Sequence, residues 1–159
     1  RMNVNYRTDE THAYQTIDVS IHSHKSHVFK LLGTTEGIKQ WFLELSFEEE
    51  RAGSQLIFDL GNNEYEYAKI TDYHPNDHIG YDWDQGHVDF SLEENGDTVT
   101  LTFKESLPFT FETIANDFTG WYFQIQSVKK LAETGQPLSK DAFDFKAKTD
   151  EIEQTLNLN

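Results

Sequence analysis

Three groups of residues in this chain have side chains and spacings suited to chemistry. His22, His24 and His27 form a His-x-His-x-x-His run, which offers imidazoles to zinc or nickel. Asp82, Asp84 and Asp89 flank the Gln85-Gly86 turn, where neighbouring carboxylates act as an acid/base pair or hold a hard cation. The third group is aromatic: Tyr81, Trp83, Phe90, Phe103 and Trp121, with Trp41 and Phe42 near one end. Such rings either line an apolar pocket and stack on a bound ring or acyl chain, or fill a core.

The first two groups also have plainer readings. His22 and His24 sit at a strand end and His27 on the helix that follows, so their convergence requires a particular bend. No carboxylate at an obvious spacing completes the set, and no metal is expected. The three aspartates alternate with apolar residues, which turns them to solvent. There is no Gly-rich phosphate loop, no nucleophile elbow and no His-Glu-x-x-His, so the sequence does not show an enzyme and no cofactor is expected.

The bulk properties limit the partners. Twenty-eight Asp and Glu against thirteen Lys and Arg give a formal charge of −15, which repels nucleic acid and anionic membrane surfaces. A cationic or neutral partner stays open, and so does a role in solubility alone. With no cysteine, disulfides, thiolate catalysis and Cys-type zinc sites are excluded. No apolar run approaches the ~20 residues that cross a bilayer, and no signal peptide is evident, so the cytoplasm is the expected location. Arg1 ahead of Met2 reads as an expression remnant.

The elements that position these residues follow from periodicity. Residues 1–12 are unpatterned and read as a loose arm. From Ala13 the period is two, with Ile17, Val19 and Ile21 on one face of a half-buried strand. Ser23 is a candidate N-cap for a helix through Val28, Phe29, Leu31 and Leu32, with Gly33 as its left-handed end. Thr34 or Thr35 caps a second short helix through Ile38, Trp41 and Phe42. A meander follows: a strand from Leu45 to Glu50, then one through Leu56, Phe58 and Leu60, and one from Tyr65 to Tyr73. Ile79, Tyr81 and Trp83 alternate next, then Val88, Phe90 and Leu92. Asn95-Gly96 is the strongest hairpin signal, because both residues tolerate positive φ, and Val99, Leu101 and Phe103 complete the sheet. Turns this short make the strands antiparallel neighbours. The proline-free stretch from Phe111 to Thr134 supplies the cover, with Trp121, Ile125, Val128 and Ala132 on one stripe. Gly135 and Pro137 end it. Even from Asp117 this helix is ~27 Å long.

In this order the residues resemble a known family. Ile21 to Phe29 (Ile-His-Ser-His-Lys-Ser-His-Val-Phe) and Thr35 to Phe42 (Thr-Glu-Gly-Ile-Lys-Gln-Trp-Phe) are similar to the opening of the activator-of-heat-shock-ATPase homologues, within the START-like, or SRPBCC, superfamily. Pro75 followed by Tyr81-Asp82-Trp83, the threonine-rich strand Thr98 to Thr102, and Gly120-Trp121 in the final helix agree in sequence order. His24 stands where a proline is common. The resemblance spans roughly residues 14–135 and implies an α+β helix-grip fold: a curved antiparallel sheet of about six to seven strands around a long C-terminal helix, with two short helices after the first strand. It also implies a cavity between sheet and helix, which relatives use for lipids, polyketides, hormones and other apolar molecules. Some relatives are cyclases or hydroxylase subunits, and the eukaryotic namesake stimulates a chaperone ATPase through a further domain.

The expectation is one domain over 13–135, with 136–159 either a peripheral helix or a disordered tail. The leading function is binding of a small apolar or aromatic molecule, with Trp41, Phe42, Phe58, Tyr81, Trp83, Phe90, Phe103, Trp121, Ile125 and Val128 as its contacts. A curved sheet and one helix are hard to pack solidly, and Tyr and Trp carry polar handles, which favours a pocket over a filled core. The alternatives are a stress- or chaperone-related interaction module and a cyclase- or hydrolase-type enzyme. Against the enzyme stands the nearly apolar set of inward positions.

Overall fold

The computed structural model describes residues 2–158, so the reading of Arg1 falls outside it. Residues expected to be a loose arm instead form a strand, β1 (Met2–Thr8), paired antiparallel with β2 (His12–Ile21). Three of the seven residues of β1 are apolar or aromatic at alternate positions, Met2, Val4 and Tyr6, and these are half-buried against the core. Two short helices follow, α1 (Lys25–Gly33) and α2 (Thr35–Ile38). Then come β3 (Leu45–Phe47), β4 (Gln55–Gly61), β5 (Glu64–His74), β6 (His78–Trp83), β7 (Gly86–Asn95) and β8 (Thr98–Pro108). Helix α3 (Ile114–Thr134) and helix α4 (Phe145–Leu156) complete the chain.

All eight strands form one antiparallel sheet in the order β1-β2-β8-β7-β6-β5-β4-β3, one or two strands more than expected. Breaks in register between Asp59 and Gly61 and between Ile70 and Asp72 bend β4 and β5, because an extra residue on one strand deepens the local twist. Helix α3 lies on the concave face against β2, β8 and α1. It buries Phe118, Trp121, Ile125 and Val128 there and ends on Gly135 at φ 83, whose N–H bonds the Leu131 carbonyl.

Several local expectations are corrected. Helix α1 is entered from His24 with no side-chain cap, not from Ser23. Gly33 is needed for close packing rather than a left-handed turn: a Cβ there would lie 2.7 Å from the Phe29 ring. Thr34 does cap α2, its hydroxyl accepting from the Gly37 N–H at 3.0 Å, but α2 ends at Ile38 and leaves Trp41 and Phe42 in the turn beyond. The strand begun at Leu45 stops at Phe47. In the last hairpin Asn95 pairs with Thr98, so the two central residues are Gly96 and Asp97, and only Gly96 takes positive φ. That is the geometry in which glycine comes first in the turn.

Within the described part of the tail a helix forms. Helix α4 packs on α3 and β1, burying Ile152 and Leu156 with Ala13, Leu107, Ile114 and Phe118. Phe143 and Phe145 stack beside Phe123, their ring centres 4.6 Å apart from each other and 5.4 and 5.3 Å from Phe123.

Candidate functional site

Cross-strand pairing places Tyr6, Gln15, Glu105, Val88 and Tyr81 in one line from β1 to β6. The next inward line to one side is Ile17, Phe103, Phe90 and Ile79, and to the other it includes Ala13 and Leu107. A polar rung is thus held between apolar ones. Glu105 is 2% exposed and Gln15 is fully buried. The Gln15 amide donates to the Phe118 carbonyl at 3.1 Å and to Glu105 Oε1 at 3.4 Å. From the first turn of α3, Asp117 brings its carboxyl group up to Glu105. Its Oδ2 accepts from the Trp83 indole N–H at 2.8 Å.

This setting dictates the protonation. Burial foremost, then the negative charge of Asp117, push the Glu105 carboxyl well above the usual carboxylate range. Glu105 Oε2 and Asp117 Oδ1 are each buried without a partner. A protonated Glu105 has a hydrogen to donate, which a pair of carboxylates lacks. Burial likewise raises the Tyr81 hydroxyl, with Glu105 adding to it, so that phenol stays neutral. The hydroxyls of Tyr6 and Tyr81, with Gln15 Oε1, have no partner within the fold. Each such atom costs about 1–3 kcal/mol, a cost that apolar side chains on this rung would avoid.

Beside the rung opens a cavity of about 610 Å³, walled by β4 and β5 on one side and by Trp83, Asp84, Phe111 and Asp117 on the other. Phe58 and Trp83 line it, as do Tyr65 and Tyr67, which are half-exposed at 47% and 58%. An adjoining hollow of about 290 Å³ shares Phe58, Trp83 and Asp117 and adds Phe42, Gly120 and Trp121. The rings form one continuous stack. Trp121 sits 5.0 Å from Trp83, 5.1 Å from Phe103 and 5.6 Å from Phe42, centre to centre.

The ten expected contacts therefore divide. Phe42, Phe58, Trp83 and Trp121 border open space. Trp41, Tyr81, Phe90, Phe103, Ile125 and Val128 belong to the buried core. Trp41 spends its polar handle inside the fold, donating to the Leu31 carbonyl at 2.8 Å. Glu105, Gln15, Asp117, Tyr65, Tyr67 and Phe111 went unnoticed. The first two had a signal: Glu105 continues the phase of Val99, Leu101 and Phe103, and Gln15 that of Ile17, Val19 and Ile21. Inward positions were expected to be nearly all apolar, but Gln15 and Glu105 are inward and polar, which removes the ground for disfavouring an enzyme.

The other two groups disperse. His22, His24 and His27 are exposed and do not converge, and His24 lies 3.6 Å from Glu94. Among the described residues, metal-ligand atoms gather only at Asp72, His74 and His78, within 4.8 Å of one another on the outer face of β5 and β6. Asp89 and Asp82 pair on that face with His78 at 2.5 Å and His87 at 3.5 Å. Asp84, at φ 54 in the turn, lines the cavity instead of facing away from it.

No protein-family model and no curated protein matches the sequence. Solved structures do. A conserved protein of unknown function from Enterococcus faecalis is 28% identical, with a TM-score of 0.88 over 98% of this chain and 92% of that one. The Aha1 dimer from Colwellia psychrerythraea is 22% identical (TM-score 0.65; 76% of this chain, 96% of that). CalU16 from Micromonospora echinospora is 17% identical (TM-score 0.70; 99% and 95%). The chain has the helix-grip fold of these proteins. Among the described residues no helix is long and apolar enough to cross a membrane.

Proposed function

We propose that this protein binds a small apolar or aromatic molecule in the cavity between the β4–β5 hairpin and the N-terminal end of α3. The observation that carries the reading is the cavity of about 610 Å³ running onto the Phe58–Trp83–Trp121 ring stack. Its size falls in the range of about 300–1,000 Å³ typical of small-molecule sites. A ligand that buries roughly 200 Å² of apolar area gains about 5 kcal/mol at ~25 cal/mol/Å². Association costs consume part of that gain. Micromolar binding takes about 8 kcal/mol, so polar contacts along the rim must add to burial.

The finer placement among activator-of-heat-shock-ATPase homologues rests on the motif order in residues 21–42 and on the likeness to Aha1 from C. psychrerythraea. A chaperone-related role is the second reading that this likeness favours. The two separate by a titration of tryptophan fluorescence with a neutral naphthyl probe. Ligand binding gives a saturable change that Phe58→Ala weakens in a protein that still melts cooperatively, since Phe58 is a half-buried residue lining both hollows. A flat response from the wild type refutes the ligand reading.

A further inference from the structure

We infer that the ligand of this cavity is an organic cation, an ammonium group carried on an apolar or aromatic body; the inference rests on the ligand-binding reading above. Glu66, Asp84 and Asp117 bring carboxylates to the cavity wall, and Phe58, Trp83 and Phe111 bring rings. No lining residue is Lys, Arg or His. Ring faces carry negative quadrupole charge that attracts cations, and carboxylates around them add to that field.

The negative charge here is not neutralised within the fold. Among the described residues no ion pair includes Glu66, Asp84, Glu105 or Asp117. Elsewhere acidic groups do find partners, as Asp77 does with Lys25 and Glu133 with Lys129. Glu105 is 2% exposed, and its Oε2 has no basic partner. Asp117 is held at the cavity wall by the Trp83 indole N–H, 2.8 Å from its Oδ2. A carboxyl group so placed favours a cation at the adjoining ring face.

A metal ion does not meet this description. The only described cluster with ligand atoms within 4.8 Å of one another is Asp72, His74 and His78, so the three wall carboxylates are too dispersed to share one ion. A bulky ammonium, which needs surrounding charge rather than direct coordination, fits that spread. Its apolar body would extend along Phe58 towards the adjoining hollow.

The test is calorimetric titration at low and at physiological salt with three probes of one shape. These are 4-phenylbutyl-trimethylammonium, the neutral analogue with a tert-butyl group in place of the ammonium, and 4-phenylbutanesulfonate. The expected order is ammonium at least ten-fold tighter than the neutral probe, with the sulfonate not binding. The double variant Glu66→Gln, Asp84→Asn removes two exposed charges, and asparagine tolerates the positive φ at position 84. It should lose at least five-fold of the ammonium preference while its affinity for the neutral probe holds. Equal binding of the neutral and ammonium probes overturns the cation inference and leaves the ligand reading standing. An ammonium preference unchanged in the double variant also overturns it, since the attraction then comes from the overall charge. No binding of any probe refutes both.

Discussion

Replacing Glu105 with glutamine should change how folding stability depends on pH, and the sign follows from the environment of the carboxyl. In the unfolded chain Glu105 titrates near its ordinary value of 4.5, and in the folded protein well above it. Between those two points the folded state holds a proton that the unfolded chain has released. Stability therefore falls as pH rises through that window, and below it the contribution is level. One proton sets the steepest slope at about 1.4 kcal/mol per pH unit. Glutamine cannot titrate, and its amide can donate to Asp117 as the protonated acid does. The variant should match the wild type near pH 4 and gain on it as pH rises. The groups facing Glu105 are Asp117 from α3, Tyr81 from β6, Tyr6 from β1 and Gln15 from β2. The tyrosines stay neutral across this range because their hydroxyls are pushed up, and Asp117 is present in both proteins. Urea unfolding followed by tryptophan fluorescence, at steps from pH 4 to 9, measures both curves. Parallel curves would mean that Glu105 ionises at no cost, and the account of the rung would be wrong.

Two further predictions concern packing. Gly37→Ala sets a Cβ 1.9 Å from the Lys30 carbonyl oxygen, a backbone atom, whereas Gly120→Ala meets nothing within 4 Å. The first should cost about 1–3 kcal/mol or more as α1 and α2 shift apart. The second should stabilise α3 by about 0.5–1 kcal/mol through helix propensity, and thermal melts of the two variants should move in opposite directions. Ile152→Ala empties a fully buried position between α4 and the sheet end. It should lower stability by about 2–5 kcal/mol in chemical denaturation, whereas a negligible change would show that α4 is not part of the fold.

Much of the fold was legible because most of it rests on period and turn chemistry. The alternation from Ile17 to Ile21, the turn after Asn95 and the run from Asp117 to Gly135 each state a local rule that packing then obeys. What was missed has physical causes. Strand β1 carries its period on three residues only, Met2, Val4 and Tyr6, and besides its hairpin partner β2 it is held by α4 at the far end of the sequence. Helix α4 buries few residues and exposes a charged face, so its sequence alone does not separate it from a loose tail. At the site, aromatic residue type was readable but depth was not. Phe90 and Phe103 carry the same signal as Phe58, yet only Phe58 stands where the bent β4 and β5 leave open space. Glu105 is legible in phase with Phe103, but a charged side chain gives no apolar signal that its position faces inward.

The central claim, that the cavity is a ligand site, is tested most directly by native mass spectrometry. The wild type and the Phe58→Ala variant would be incubated with neutral and cationic aromatic compounds small enough for about 610 Å³. The expected result is a one-to-one adduct on the wild type, lost on organic extraction and depleted in the variant. A bare protein mass for the wild type with every compound would contradict it.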